Sequence, residues 1–228
     1  MGTMKTRGSM GIRLAVLGVV AVAAVLVAVV VAGGGSKPAT QSPGGGDNSV
    51  LKGIPQSGIS LGSPKAPVTI VEFADLQCPF CAEYHRNVFP TILDRYVRTG
   101  KVRLELRLLR FLGPDSDRLA RVAVAAAAQN RMWQFVGLAY DRQGKENSGY
   151  ATDSFINGLT RDAGLKSPDA GAAAERQVVQ NERIAQSAGL QSTPSFLIGP
   201  TGGALSQFQP SDLTPGSFIP RIDKELSR

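Results

Sequence analysis

The chain has 228 residues, 43% of them hydrophobic, and a formal net charge of +7. Three of those positive charges, Lys5, Arg7 and Arg13, precede residue 14, and the basic residues that remain are scattered, so no stripe for nucleic acid is present. Two cysteines are few for a chain that relies on structural disulfides, and a domain of this size buries a core without such staples, which weakens that reading of the pair.

Residues 14–32, "LAVLGVVAVAAVLVAVVVA", contain no charged or polar side chain. As a helix they would span roughly 28 Å, close to the hydrocarbon thickness of a bilayer, which predicts one N-terminal transmembrane helix. The lysine and arginines ahead of it, with no acidic residue before Asp47, place residues 1–13 in the cytoplasm and the rest of the chain outside. Cleavage as a signal peptide after "VVA" is the rival reading. The apolar run exceeds the roughly 7–15 residues of such peptides, which favours a retained anchor. Residues 33–49 are rich in Gly, Ser and Pro and predict a flexible linker.

The folded domain is predicted over 50–228. "SGISLG" (57–62) suggests a short first strand. Val68, Ile70, Val71 and Phe73 predict a buried strand over 67–73. Phe80, Tyr84, Val88, Ile92 and Tyr96 recur at helical spacing and predict a helix over 79–99, kinked or split at Pro90 and ended by Gly100. A strand follows over 101–111, whose arginines mark one polar face. Helical patterns then cover 116–130, 131–143, 152–164 and 167–189, the third capped by Thr152 and the fourth by Ser167 with Pro168 in its first turn. Strands over 194–199 and 204–209 and a helix over 214–226 complete the chain. The order predicts an α/β domain interrupted by an all-helical insert at about 114–189.

Both cysteines fall in "EFADLQCPFCAEYH" (72–85), where the buried strand feeds the helix. Cys78 takes the N-cap, Pro79 the first helical position and Cys81 the third. Unpaired N–H groups and the helix macrodipole favour a thiolate at Cys78 and lower its pKa below the free value of about 8.5. Cys81, one turn inward, suits the resolving role. Zinc is the competing reading of C-x-x-C. Cys78, Cys81 and His85, the single histidine, supply three ligands at best where a structural site takes four; a metal assay on the reduced protein decides it. His85 itself reads as a helix residue packing near the cysteines or facing solvent, with a catalytic role as the alternative. Glu72 lies in the apolar strand. Either it is solvated at the strand end or paired with an arginine, or it moves a proton to or from Cys81. Asp75, in the approach to the helix, is expected at the surface. Thr193-Pro194 stands immediately before a strand, where proline is tolerated.

"VTIVEFADLQCPFC", the helical insert and "AGLQSTPSFLIG" together resemble the DsbA-like branch of the thioredoxin superfamily over about residues 55–228. The resemblance implies a thioredoxin-like fold with an inserted helical domain. It implies that Cys78 is the nucleophile and Cys81 its partner, that Pro194 is cis and lies against them, that Thr193 offers backbone hydrogen bonds to a bound peptide, and that Glu72 is the family's buried acid. Pro79 and Phe80 would then line the substrate side. The implied activity is transfer of disulfides to cysteine-containing polypeptides outside the membrane, with no cofactor and with a membrane redox partner for recycling. Reductase or isomerase action through the same pair, or peptide binding without turnover, are the alternatives. One residue departs from the pattern: the best-known oxidants carry histidine at the position of Phe80.

Overall fold

The structure is a computed structural model that describes Met1, Gly2 and residues 48–167 and 169–228. The chain divides into two units, Met1–Pro43 and Gly44–Arg228, and every element below belongs to the second. The predicted transmembrane helix 14–32 lies outside the described residues. Among those residues no helix is long and apolar enough to cross a membrane. Asn48 and Ser49, assigned to the linker from sequence, instead open a 3-10 turn, Asn48–Leu51, because Leu51 is drawn into the core.

The sheet of the described residues contains β1 (Gln56–Ser57), β2 (Ser60–Leu61), β3 (Val68–Ala74), β4 (Val102–Leu108), β5 (Ser195–Pro200) and β6 (Ser206–Phe208). Their spatial order is β1-β2-β4-β3-β5-β6. β3 and β4 pair in parallel from Val68↔Val102 to Ala74↔Leu108, and the other neighbours are antiparallel. The single strand expected at 57–62 is a tight hairpin, since Gly58 turns the chain at φ +59°.

β3 is central and buried along its whole length. Successive side chains alternate between faces, so Val68, Ile70, Glu72 and Ala74 share one face and Thr69, Val71 and Phe73 the other. The first face meets the main core and the second a smaller cluster with Leu109 and Ala185. β4 alternates strictly: Val102, Leu104, Leu106 and Leu108 are buried, while Arg103, Glu105 and Arg107 form the half-buried polar face and pair with one another.

The helix expected over 79–99 is split. α1 (Pro79–Asn87) ends at Val88, α2 (Phe89–Ile92) follows, and a π-helical turn, Leu93–Val97, completes the crossover to β4. Pro90 has no N–H to donate, and its ring excludes the carbonyl four residues back, so the break falls just ahead of it.

Between β4 and β5 the chain makes α3 (Pro114–Ala127), α4 (Met132–Asp141), α5 (Asp153–Asp162) and α6 (Gly171–Ser187); α7 (Pro215–Leu226) follows the sheet. Thr152 caps α5, accepting from the Phe155 N–H at 3.2 Å. Ser167 does not cap α6, and Pro168 lies outside the described residues. Ser167 Oγ accepts from the Asp169 N–H and Asp169 Oδ1 from the Gly171 N–H, both at 3.0 Å, so two side-chain turns use these donors and delay the helix to Gly171. Arg110, just past β4, fastens the insertion to the sheet by reaching Asp117 on α3 at 2.7 Å and Glu182 on α6 at 2.8 Å.

Candidate active site

The approach to α1, residues 75–78, is built from polar groups that the insertion supplies. Asp75, expected at the surface, is fully buried. Its carboxylate accepts from the Gln77 N–H at 2.8 Å, the Ser116 hydroxyl at 2.6 Å and the Leu112 N–H at 3.1 Å. These partners compensate its desolvation, although burial still pushes its pKa up. Gln143 Nε2 donates to the carbonyls of Leu76 at 2.9 Å and Cys78 at 3.2 Å. The Tyr140 hydroxyl donates to the Asp75 carbonyl at 3.4 Å.

Held in this way, Cys78 forms the N-cap of α1 with Pro79 in the first turn. Both cysteines are free thiols and both are buried. Their electrostatics differ in sign. The Cys78 pKa falls to about 6, first because the Cys81 thiol donates to its sulfur, with further help from the Thr193 hydroxyl and the Cys81 and Phe80 N–H groups, against burial. Cys81 is pushed well above its ordinary value by burial first, then by the neighbouring Cys78 and by the charge of Glu72. In its protonated form Cys78 donates to the Thr193 carbonyl at 3.3 Å.

The Thr193–Pro194 peptide is cis. Its Thr193 carbonyl touches Cys78, and beside that contact lies a groove of about 630 Å³ lined by Cys78, Pro79, Phe80, Phe111, Thr193 and neighbouring residues. Phe80 and Phe111 are among the few exposed large apolar side chains of the described residues. Cys78 therefore borders an apolar groove flanked by a backbone segment.

Glu72 is 3% exposed and lies on the β3 face that meets the main core, so the solvated reading fails. Its partner is also not an arginine. His85 Nε2 approaches Glu72 Oε2 at 3.3 Å, with both side chains buried. The structure thus gathers Glu72, Cys78, Cys81, Pro79, Phe80, Thr193 and Pro194 around the N-terminus of α1, and adds His85 behind them.

Residues 55–204 match the family model described as thioredoxin. The chain belongs to the thioredoxin family. Its helical insertion places it among the DsbA-like members. The probable disulfide bond formation protein D of Bacillus cereus is 32% identical over 105 residues, covering 45% of this chain and 49% of that protein. The disulfide bond formation protein D of Bacillus subtilis is 26% identical over 147 residues, covering 60% and 66%. The chain therefore spans about half the length of the first of these relatives. Among solved structures, oxidised BdbD from Bacillus subtilis superposes with a TM-score of 0.64 at 21% identity, covering 77% of this chain and 98% of that one. Wolbachia pipientis α-DsbA1 gives 0.63 at 22%, covering 74% and 90%. At these identities the structural likeness is one of fold.

For a thioredoxin-family domain the unexpected part is the support of the site, not its thiols. Gln77, Gln143, Ser116 and Tyr140 are absent from the sequence reading. Gln77 is 1% exposed and donates to Leu112 O at 2.8 Å and Ser116 Oγ at 3.0 Å, while its Oε1 accepts from the Asn147 N–H at 2.7 Å. The one available signal was a glutamine immediately before Cys78, in a segment otherwise running into the core.

Proposed function

We infer that this chain is a thiol–disulfide oxidoreductase that introduces disulfides into secreted or membrane proteins outside the cytoplasmic membrane. The observation that carries the reading is the opposed character of two thiols three residues apart: Cys78 is lowered to about 6 and Cys81 is raised by burial. A thiol of low pKa is the better leaving group in exchange.

In the oxidising direction a substrate thiolate attacks Cys78 Sγ of the enzyme disulfide, and Cys81 leaves as a thiolate and takes up a proton. The substrate's second thiolate then attacks its own sulfur in the mixed disulfide, and Cys78 leaves as a stabilised thiolate. The enzyme gains two electrons and the substrate dithiol loses two. Glu72 is the group suited to exchange the proton with Cys81, since its charge acts on that thiol. The groove beside Thr193-Pro194, with Pro79 and Phe80 on its other wall, suits an extended peptide. The names of the Bacillus relatives and of the Rickettsia protein-disulfide oxidoreductases support the activity. Segment 14–32 serves as the anchor, with the domain outside and a membrane redox partner reoxidising the pair. Phe80 favours a second reading, a reductase or isomerase using the same cysteines, because phenylalanine offers the thiolate no side-chain hydrogen bond.

A Cys78→Ser variant tests the activity. Disulfide exchange with a dithiol reporter peptide should fall to background. Exchange that persists, or biological activity unchanged by the substitution, would instead favour a peptide-binding module. The in-vivo redox state of the Cys78–Cys81 pair gives the direction, oxidised for a disulfide donor and reduced for a reductase or isomerase.

A further inference from the structure

We propose that His85 is a positioning residue that passes protons between Glu72 and solvent, so that Glu72 can serve Cys81 repeatedly. This rests on the oxidoreductase reading above and adds to it a route for the proton.

The need for such a route follows from burial. Cys81 is fully buried and Glu72 is 3% exposed in the middle of a sheet covered on both faces. Glu72 Oε1 has no hydrogen-bond partner among the described residues. A proton moved between these two groups in one exchange must leave or enter before the next, and neither group reaches water by itself. Each time Cys81 closes the ring, its thiol loses one proton and its thiolate attacks Cys78 Sγ; the substrate thiolate departs. Each time the ring opens, Cys81 leaves as a thiolate and regains one proton. The pair thus moves one proton per half-cycle through Glu72.

His85 stands where that proton would travel. Its Nε2 is 3.3 Å from Glu72 Oε2. The ring is stacked on Phe89 at 4.7 Å, tilted against Tyr140 at 4.5 Å and met edge-on by Tyr84 at 5.6 Å. These aromatic contacts fix its plane, and its buried Nε2 has no hydrogen-bond partner among the described residues, the Glu72 carboxylate at 3.3 Å being its ion-pair neighbour. His85 also borders a cavity of about 270 Å³ lined by Phe89, Trp133 and Tyr140, whose rim carries exposed Val50, Arg86 and Asp141. That volume holds several waters and opens at the surface. Imidazole is the side chain that both gives and takes a proton near neutral pH.

The titratable and charged groups facing His85 are Glu72 from β3, Tyr84 and Arg86 from α1, and Tyr140 and Asp141 from α4. Burial holds both tyrosines well above the usual phenol range, so they stay protonated. Burial also raises Asp141, against the pull of Arg86 and His85. A purely structural role for His85, as one more ring in the aromatic stack, is the competing explanation, and phenylalanine would satisfy it.

The test is single-turnover resolution of a mixed disulfide between Cys78 and a model cysteine peptide, acid-quenched and followed across pH in full-length protein. His85→Phe keeps the stacking and removes the nitrogens. Its rate should fall roughly tenfold, one link of a proton path worth about 10²–10⁴ in total, and its pH–rate profile should lose one inflexion. His85→Ala joins the ring's volume to the cavity, and added imidazole should restore its rate. The proposal is overturned if His85→Phe keeps the wild-type rate and profile, or if imidazole leaves His85→Ala unchanged. If one variant does not fold, the other decides. If the wild type itself fails to resolve the mixed disulfide, the oxidoreductase reading falls first and the relay with it.

Discussion

Phe80 is more than half exposed, at 59%, and stands between the two cysteines in sequence, lining the groove. The Cys78 thiolate already receives the Cys81 thiol, the Thr193 hydroxyl and two backbone N–H groups. A donor in place of Phe80 would add one charge-assisted hydrogen bond, about 1.5–3 kcal/mol. Since only the reduced form contains the thiolate, Phe80→His should raise the reduction potential by about 30–60 mV. Equilibration with glutathione buffers measures it, and an unchanged or lower potential refutes the argument. At this scale Cys78, Pro79 and Cys81 were legible because a helix start needs only local chain. The partner of Glu72 was not. His85 is 13 positions away on another element, and its approach depends on how α1 crosses β3.

The loop from β3 to α1 is held less by its own sequence than by the insertion. Asp75 is the hub: three donors converge on its carboxylate, and two of them, Ser116 and the Leu112 N–H, are 41 and 37 residues away. That separation explains the wrong expectation of a surface Asp75, since an isolated acid before a helix carries no sign of the distant donors. By contrast β3 was legible to within a residue, and β4 at its start though it ends three residues before the expected 111, because continuous and alternating apolar runs report burial directly. The hairpin at Gly58 and the late start of α6 were missed, because a single turn residue or a competing Ser167–Asp169 turn decides them. Asp75→Ala should leave buried donors unpaired and cost about 1–3 kcal/mol. The melting temperature should fall by about 2–4 °C for each kcal/mol in a domain of this length. It should also loosen Cys78, so exchange should slow with it. A melting curve unchanged within error would show that the hub contributes nothing.

The redox state and the stability of the whole domain are linked through Cys78. Its pKa drops from 9.0 to about 6 on folding of the reduced form. Between these values the unfolded chain holds a proton that the folded chain has released, so reduced-state stability rises with pH through that window. It is lost as pH falls through about 6. Cys81 acts in the opposite sense only above 9.0, where its raised pKa begins to matter. The disulfide form has neither titration. The urea midpoint of the reduced form should therefore rise relative to that of the disulfide form between about pH 6 and about pH 9. A difference that stays constant with pH, or that moves in favour of the disulfide form, contradicts the assignment.

The register of β5 against β3 also sets a schedule. Cys78 and the Thr193 carbonyl that faces it are 115 residues apart in the chain, with the whole insertion between them. When synthesis runs from the N-terminus, both thiols emerge long before the strand that completes their sheet and the loop that walls their groove. Until β5 pairs with β3 the cysteines sit beside an open sheet edge, without the Thr193 segment. The domain thus cannot assemble its own groove until β5 and the Thr193 segment before it have left the ribosome. During that interval its two thiols lack the wall that the Thr193 segment later provides.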